Sequence, residues 1–523
     1  LHVQMKRLIW RSTVAVVAVS TGYALYKNDF DPLSIGIVRI SRAAATVASI
    51  AVDYKMTMNL TNSEAEDYAL QMSGVHQRSA DRMLKLAHKN GGCYIKVGQH
   101  LSSLDYLLPM EYIRTLSSLL KDAPLSSFED IKQVLLEDLG KKADNFVEID
   151  PKPIGSASLA QVHKAKLSNG QTVALKVQHR RVKQYSAVDI FTMNLLVHAA
   201  AKVFPEFKLM WFADEVKRNL PRELNFKEEG ENADRIRHLL ENLKFLKIPE
   251  ILWDLSTDRV LTMQYFEGGL VNDLKYLNSH GISPYDVCFF IEMIFVHGDV
   301  HCDPHPGNIL VRKDSNGQTE IVLLDHGLYT KLDEKFRLNY ARLWLSLLHK
   351  DRLGIERWSK ALGVGDLYPL FACMVTARSW KAIIRGIKST DFTAEENDDI
   401  KTHAASYIPE IAEVLNSVPR QMIMVFKAND LLRTIEFKLG TQKQAYSYLN
   451  TTEYCLNTIY GYAYRRSDNL ARGCLVWIAW TTAIVRLQLA VWLLYFYNVV
   501  YNFQRYVQAF SLYNFTRPTI ATS

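Results

Sequence analysis

Two short blocks of sequence constrain the fold and the chemistry of this chain more than any other feature. They are His301-Cys302-Asp303-Pro304-His305-Pro306-Gly307-Asn308 and Leu323-Leu324-Asp325-His326-Gly327. An Asp followed by an Asn five positions later, and then by an apolar strand ending in Asp-x-Gly, suits phosphoryl transfer. We therefore expect Asp303 to accept or orient an attacking hydroxyl group, and Asn308 and Asp325 to hold magnesium at nucleotide phosphates. His301, which opens the first block, is a further catalytic candidate.

A lysine on a predicted strand extends this site. Val173-Ala174-Leu175-Lys176 lies in the second strand of a predicted hairpin, where alternation places Lys176 on the same face as Ala174. A lysine that projects over nucleotide phosphates needs a carboxylate partner from a helix, and the candidates are Glu229 and Glu228. Alone, Lys176 would pass as a solvated strand lysine, but its position before the two blocks favours a phosphate-binding role.

The segment before this hairpin is predicted to be the phosphate-binding loop. Protein kinases place three glycines in such a loop, which lets backbone N–H groups approach the phosphates. This chain keeps only Gly155 and fills the remaining positions with Ile154, Ser156, Ala157, Ser158, Leu159, Ala160, Gln161 and Val162. Taken by itself, the loop would also fit an ordinary turn.

The predicted elements follow the order helical region, small sheet lobe, larger helical lobe and hydrophobic tail. Ser126-Ser127-Phe128-Glu129 is typical of a capping box, here opening a helix that ends at Gly140. Asn-Gly pairs at 169–170 and 316–317 predict two β-hairpins. Helices are expected again from Lys331 to about Leu449.

Composition excludes some classes of protein. The chain of 523 residues has 62 Lys+Arg and 55 Asp+Glu, and its net charge of +7 is too small and too scattered for nucleic-acid binding. A hydrophobic share of 48% excludes a disordered protein, and the length suggests two to four domains. The six cysteines form no CxxC pair, so we predict isolated thiols without a metal site or disulfide framework.

The N-terminal segment combines basic and apolar residues. Lys6, Arg7, Arg11 and Lys27 all precede the first acidic residue, Asp29. The apolar run at 12–26 would span roughly 22 Å as a helix, less than the ~30 Å hydrocarbon core of a bilayer. A secretory signal, a mitochondrial presequence, a marginal anchor and a helix docked on the protein surface are the alternatives. We expect mitochondrial import, with or without anchoring, because the basic start without acidic residues suits it and Val19-Ser20-Thr21 is a poor secretory cleavage site.

The C-terminal segment is also apolar. Cys474 to Val500 carries one charge, Arg486. A central Arg costs ~3 kcal/mol on insertion scales, whereas each Leu, Ile, Val or Phe returns only ~0.3–0.6 kcal/mol. A helix packed on the globular body or lying in a membrane interface is therefore favoured over insertion, which stays open.

Four motifs together resemble one protein family. They are Lys96-Val97-Gly98-Gln99, the loop ending in Ala160-Gln161-Val162-His163, Glu223-Leu224-Asn225-Phe226 and the block from His301 to Asn308. From these motifs the chain is identified as a member of the UbiB-like, or aarF-domain-containing, family of atypical kinases, over about residues 60–450. With Asp325-His326-Gly327 and the N-terminal segment, it is similar to the mitochondrial kinase 1 branch of that family.

The resemblance implies an α+β, protein-kinase-like fold with a β-rich N-lobe, a helical C-lobe and a helical N-terminal extension. The implied boundaries are a targeting or anchor segment at 1–28, the extension at 29–148, the N-lobe at 149–267, the C-lobe at 268–450 and a hydrophobic tail at 451–523. It implies ATP and magnesium as cofactors.

The resemblance also assigns roles to site residues. Asp303 takes the catalytic-base position, Asn308 and Asp325 take the metal positions, and Lys176 with Glu229 holds phosphates. Lys96 and Gln99 of the KxGQ motif are expected to reach into the site and meet the carboxylates of the family's ExD motif, of which Glu223 is retained.

Three departures from the family pattern carry expectations of their own. Asn225 replaces the second ExD carboxylate, which is expected to weaken an ion pair from Lys96. His326 replaces the usual Phe of DFG, and we expect it to add a group that titrates near neutrality. The element at 284–297 is short for the helix that supports a kinase catalytic loop.

Family membership implies links to coenzyme Q metabolism, lipid homeostasis and the organisation of mitochondrial membranes, including cristae. His305 stands where protein kinases usually have Lys, and no Ala-Pro-Glu closes a peptide-binding segment after Asp325. We therefore expect an ATP- and magnesium-dependent atypical kinase or ATPase at a mitochondrial membrane, with the inner membrane suspected. Its substrate is expected to be a small molecule, a lipid or a prenyl-like compound. A nucleotide-binding pseudokinase that scaffolds membrane proteins, and a true protein kinase, are the alternatives.

Overall fold

The structure is a computed structural model of the chain. The residues it describes are 36–60, 68–102, 104, 108–120, 125–204, 210–282, 297–303, 305–385, 408–439 and 446–515. The predicted targeting segment at 1–28, and the predicted short element at 284–297 apart from its last residue, lie outside these residues.

Helices form the N-terminal extension. They are α1 (Gly36–Leu60), α2 (Tyr68–Asn90), α3 (Cys93–Ser102), α4 (Met110–Leu116) and α5 (Phe128–Leu139). Gly91 and Gly92 join α2 to α3 with φ of 66° and 49°, a conformation that glycine adopts without strain. The cap of α5 is Ser127, whose Oγ accepts the N–H of Asp130. The helix therefore starts one residue later than a cap at Ser126 would place it.

The small lobe is one antiparallel sheet. It contains β1 (Phe146–Ile149), β2 (Gly155–Ser156), β3 (Ala160–Leu167), β4 (Thr172–Gln178) and β6 (Val260–Gln264), in the order β1-β3-β4-β6 with β2 paired to β3. The predicted hairpin between β3 and β4 is confirmed, with Lys166 opposite Thr172. Val173, Leu175 and Val177 face a core shared with α5, whereas Ala174 lies in a second core with Phe226. This alternation directs Lys176 to the inner face, as predicted.

Three helices and a second group of strands connect the small lobe to the large one. The helices are α6 (Val182–Val203), α7 (Met210–Glu223) and α8 (Phe226–Leu239). The second sheet has the order β5-β10-β9-β7, formed by β5 (Leu246–Lys247), β7 (Gly269–Leu270), β9 (Ile309–Lys313) and β10 (Thr319–Leu323). The hairpin predicted at Asn316-Gly317 is confirmed by the pairing of β9 with β10. A helix, α9 (Leu274–Ser279), follows β7, and β8 (Asp299–His301) pairs with β11 (Tyr329–Lys331).

The large lobe and tail are helical. They comprise α10 (Glu334–His349), α11 (Arg352–Ala361), α12 (Tyr368–Thr376), α13 (Trp380–Arg385), α14 (Ile408–Ser417), α15 (Arg420–Leu439), α16 (Tyr446–Arg465) and α17 (Leu470–Phe515). Buried residues of the extension, such as Ile95 and Leu119, share one apolar core with Tyr340 and Phe371 of the large lobe. The α+β prediction is confirmed, and the common core fixes α3 relative to the large lobe.

The tail helix α17 is mostly exposed over its first half. Trp480 donates a hydrogen bond to Asn457 of α16 at 2.9 Å, which docks the two helices. In the described part of the chain, Leu470–Leu489 is the one stretch long and apolar enough to cross a membrane, and 6% of its residues in the apolar window are buried. The stretch therefore docks on α16, as in one of the favoured alternatives, but leaves most of its apolar surface exposed. A membrane interface and insertion remain as interpretations.

A buried ion pair joins the extension to the rest of the protein, and it yields a test of the fold. Arg39 of α1 pairs with Asp189 of α6, with a distance of 2.8 Å from Nε to Oδ1. Arg39→Met leaves the Asp189 carboxylate buried without its partner, so we expect the free energy of unfolding to fall by about 3–5 kcal/mol. Urea denaturation measures this loss.

The control for this prediction is Arg78→Met. Arg78 pairs with Asp53 between α1 and α2, but its side chain is half exposed. The expected loss is about 1 kcal/mol or less. Equal losses for the two variants would contradict the assignment of the Arg39 pair as a structural tie.

Candidate active site

One lysine on β4 meets two carboxylates at the boundary between the lobes. The Nζ of Lys176 lies 2.6 Å from Oε1 of Glu229 and 3.1 Å from Oδ2 of Asp325. Burial opposes the charge of Lys176, but Asp325 and Glu229 raise its pKa above the usual range. Burial also raises the pKa of Glu229, to about 7, although Lys176 opposes that shift. The structure thus brings three of the predicted residues into direct contact.

The helix α8 decides which glutamate pairs with Lys176. Asn225 caps this helix through its side-chain oxygen, which accepts the N–H of Lys227. With this start, Glu229 faces the cleft and is buried, whereas Glu228 pairs with Arg222 at 2.5 Å. The residue pattern left both glutamates open and the family resemblance assigned Glu229, and the structure pairs Glu229 with Lys176. Asn225 therefore has a structural function as a helix cap.

The first sequence block forms a compact loop around Asp303. The backbone N–H of Asp303 donates to Nδ1 of His301 at 3.0 Å, and the side-chain amide of Asn308 donates to the Asp303 carbonyl at 3.3 Å. His301 is fully buried and also interacts with the backbone of Asp325. The backbone carbonyl of Asn308 accepts the N–H of Leu324, which places Asn308 beside Asp325. In this structure, His301 supports the loop.

The imidazole of His326 is buried rather than poised to titrate. Its Nδ1 lies 2.9 Å from the Tyr329 hydroxyl and its Nε2 lies 3.1 Å from the Leu323 carbonyl. A carbonyl only accepts, so we assign the proton to Nε2 and let Nδ1 accept from Tyr329. Burial, together with His301, lowers the pKa of His326 to about 3. The expectation of a group titrating near neutrality is therefore wrong.

The KxGQ segment lies on α3 and places Lys96 in the cleft. The Nζ of Lys96 lies 2.8 Å from Oε2 of Glu223 and 3.7 Å from Oδ2 of Asp303. The expected contact of Lys96 with the retained ExD carboxylate is thus present. Gln99, by contrast, donates its amide hydrogen to the Leu119 carbonyl at 2.8 Å. Its expected contact with the carboxylates is wrong, because it fastens α3 to the segment that follows α4.

The predicted phosphate loop is a tight hairpin closed by backbone hydrogen bonds. Ile154 donates to the Val162 carbonyl, and Ala157 donates to the Ala160 carbonyl, both at 2.8 Å. Gly155 and Ser156 pair with Val162 and Gln161 in β3. The remaining loop side chains, Ser158, Leu159 and Ala160, are buried.

Gln161 belongs to the support of the loop rather than to the cleft. Its side-chain oxygen accepts the N–H of Ser126 at 2.9 Å, and its nitrogen lies 2.9 Å from Nε2 of His163. Nε2 of His179, the residue after β4, lies 3.0 Å from the Ala157 carbonyl oxygen. The Gln161 side chain is therefore engaged in holding the loop in place.

Sequence reasoning missed one lysine of the site. The Nζ of Lys427, on α15, lies 3.5 Å from Oδ1 of Asp303. Burial alone would raise the pKa of Asp303, but Lys427 and Lys96 lower it well below its usual range. No local motif surrounds Lys427 in the sequence, so only the packing of α15 on β8 and β11 reveals it.

The donor set of the cleft fits a hard cation that also binds phosphate oxygens. Asp325 and Asn308 offer carboxylate and amide oxygens, which magnesium prefers. Within the described residues, no group of three or more His, Cys, Asp or Glu side chains forms a metal site. Magnesium is commonly held by one or two protein side chains and completes its coordination with water and substrate phosphates, which fits Asp325 and Asn308.

The chain has a β-rich lobe and a helical lobe. Between them, Lys176 of β4 contacts Glu229 of α8 and Asp325, and Asp303 lies in the same cleft. This arrangement is typical of a protein-kinase-like protein. Comparison with known sequences places it more closely. The ABC1 atypical kinase-like domain matches residues 118–359. The chain belongs to the ABC1, or AarF, family of atypical kinase-like proteins, as its motifs predicted.

The relatives cover nearly the whole chain. AarF domain-containing protein kinase 1 of Gallus gallus is 48% identical over 88% of this chain and 90% of its own length. The protein of the same name from Mus musculus is 49% identical over 87% and 88%. AarF domain-containing kinase 1 of Drosophila melanogaster is 41% identical over 91% and 93%.

The contacts of Lys96 predict how firmly α3 is held over the cleft. In Lys96→Met the buried Glu223 carboxylate loses its partner, so α3 should open locally more often. We expect amide hydrogen exchange in the peptide 93–102 to become faster by on the order of tenfold or more. Hydrogen–deuterium exchange with mass spectrometry measures this change.

The matched control is Lys89→Met, at the exposed end of α2. It should leave exchange in the peptide 93–102 unchanged. If Lys96→Met also left that exchange unchanged, Lys96 would not hold α3 in place.

Proposed function

We propose that this protein is an ATP- and magnesium-dependent atypical kinase or ATPase that acts at a mitochondrial membrane on a small, lipid or prenyl-like substrate. The observation that supports it best is the contact of Lys176 with both Glu229 and Asp325. This arrangement keeps a lysine charged and positioned where nucleotide phosphates would bind. The family membership supports the same reaction class.

The residues have distinct roles in this proposal. Lys176, oriented by Glu229, binds the phosphates, and the backbone of the loop at 154–162 covers them. Asp325 and Asn308 hold magnesium, which supplies charge neutralisation when it is bound. Asp325 is oriented for this by the N–H of Gly327, which donates to its Oδ1 at 2.9 Å.

Asp303 is the proposed base of the reaction. Its carboxylate is 29% exposed, so an acceptor hydroxyl or a water molecule can approach it, and its low pKa keeps it ionised. Lys96 also lies near this carboxylate, with Nζ 3.7 Å from Oδ2. A substrate therefore reaches Asp303 only if α3 moves or if the acceptor enters next to Lys96. A small acceptor suits this restricted site better than a folded protein.

The tail supports the membrane part of the proposal. Leu475, Ile478 and Leu489 are exposed on α17, and Arg465, Arg466 and Arg472 are exposed near its start. Apolar side chains beside a cluster of arginines suit a membrane with anionic head groups. The mitochondrial location and the role in lipid, coenzyme Q or cristae homeostasis follow from the resemblance described above.

A pseudokinase scaffold for membrane proteins is the second candidate. The observation that favours it is that two lysines, Lys96 and Lys427, contact the Asp303 carboxylate. In a scaffold, these two ammonium groups would keep the Asp303 carboxylate from accepting a proton. In that case nucleotide binding would stabilise the fold without turnover.

Variants of the nucleotide site test the first candidate. With Mg-ATP at 100 times its Kd, the full chain should gain about 2.7 kcal/mol of stability. Lys176→Met and Asp325→Asn should lose most of this gain, because they remove the phosphate and magnesium contacts. Thermal unfolding with ATP, with and without magnesium, measures the effect.

Asp303→Asn separates the two candidates. We expect it to keep the nucleotide-induced stabilisation but to lower ATP turnover by on the order of a hundredfold or more. Lys335→Met, an exposed position on α10, is the control. Stabilisation by nucleotide without turnover in the unaltered chain would favour the scaffold, and absence of any nucleotide effect would contradict both candidates.

The tail is tested by flotation with vesicles of phosphatidylcholine and phosphatidylserine at 4:1. The triple variant Leu475→Asp, Ile478→Asp and Leu489→Asp should reduce binding by on the order of a hundredfold or more, because each carboxylate opposes insertion of the apolar face. The control carries Leu70→Asp, Val147→Asp and Leu353→Asp, at positions on the globular body that are at least as exposed. Equal binding of both variants would contradict a membrane role for α17.

A further inference from the structure

We propose that Lys427 is a cation of the catalytic site that holds Asp303 before substrate binds and neutralises the transferred phosphoryl group during the reaction. The inference rests on the proposed function and deepens it. In this proposal, Lys427 places a positive charge on the side of the cleft where the acceptor would bind. Lys427 lies on α15 of the large lobe, in a segment without a recognisable sequence motif.

The packing of α15 fixes the position of Lys427. Met424, one turn earlier on the same helix, packs against Cys302 and Leu328. Residues three positions apart lie on neighbouring parts of one helix face, so the contact at Cys302 directs Lys427 to the next residue of the loop, Asp303. Phe426 and Ala428 are buried on either side of Lys427, which leaves the helix little freedom to turn.

The two lysines at Asp303 are not equivalent. Lys96 lies 0.9 Å closer to Glu223 than to Asp303, since the two distances are 2.8 and 3.7 Å. In the described part of the chain, the carboxylate that Lys427 contacts is that of Asp303, with a distance of 3.5 Å from Nζ to Oδ1. The two lysines approach different oxygens of Asp303. Lys96 therefore pairs mainly with Glu223, whereas Lys427 belongs to the large lobe and pairs with Asp303.

The loop itself carries a histidine rather than a lysine two positions after Asp303. His305, two positions after Asp303, accepts the N–H of Gly307 through Nδ1 at 3.0 Å and so caps the short turn Pro306–Asn308. This hydrogen bond holds the ring in the turn. The lysine that reaches Oδ1 of Asp303 comes instead from α15, at 3.5 Å.

The chemistry explains why a cation belongs there. The oxygen of the acceptor forms a bond to the γ-phosphorus while the bond between that phosphorus and the β–γ bridging oxygen breaks, and the electron pair leaves with ADP. The acceptor proton passes to Asp303. Negative charge spreads over the transferred group, and a preorganised ammonium group stabilises it.

The test compares Lys427→Met, Lys427→Arg and the exposed control Lys335→Met in the full chain. We expect Lys427→Met to lower kcat for magnesium-dependent ATP turnover at least tenfold while KM for ATP changes less than threefold. Lys427→Arg should recover at least half of the lost kcat on a logarithmic scale, and Lys335→Met should match the unaltered chain. A kcat unchanged in Lys427→Met, or no recovery in Lys427→Arg, would overturn the proposal.

A measurement without nucleotide separates this proposal from the proposed function. In a double-mutant cycle of Lys427→Met and Asp303→Asn, followed by urea denaturation, the two sites should be coupled at least fivefold in the equilibrium constant of unfolding. Coupling in a chain that lacks turnover would refute the proposed function but keep Lys427 as the residue that positions Asp303. Additive effects of the two substitutions would overturn the pairing itself.

Discussion

The balance of charge in one cleft is the constraint on which the rest of this structure depends. Four carboxylates, those of Glu223, Glu229, Asp303 and Asp325, converge there, and a buried carboxylate without a partner is costly. Three lysines pair with them, and each comes from a different part of the chain: β4 of the small lobe, α3 of the extension and α15 of the large lobe. The site is therefore assembled only when all three parts have docked.

The extension is an integral part of this assembly. Its helices share an apolar core with the large lobe, and the Arg39–Asp189 pair fastens α1 to α6. Gln99 holds α3 at the Leu119 carbonyl, which keeps Lys96 at Glu223. In the proposed function, this position of α3 limits entry to Asp303 and favours a small acceptor.

Much of the site was predictable because the relevant signals are local. The Asn-Gly turns set the hairpins, and strand alternation placed Lys176 on the inner face with Ala174. Other predictions failed where burial changes chemistry. His326 lies between a carbonyl and a tyrosine hydroxyl, and burial keeps it neutral, which its reference pKa does not show. Gln99 and Gln161 belong to motifs of the family, but their side-chain amides bind backbone groups of Leu119 and Ser126 instead of facing the cleft.

By itself, the sequence determined the family and the order of the lobes, and it predicted Lys176, Asp303, Asn308 and Asp325 as residues of the site. These depend on spacing within short segments, where local geometry follows from residue type. Only the tertiary structure brought Lys427 to Asp303, paired Glu228 with Arg222 and showed that the first half of α17 is mostly exposed. Such facts depend on how distant helices pack, and packing is set by the complementary apolar surfaces of whole elements rather than by any local motif.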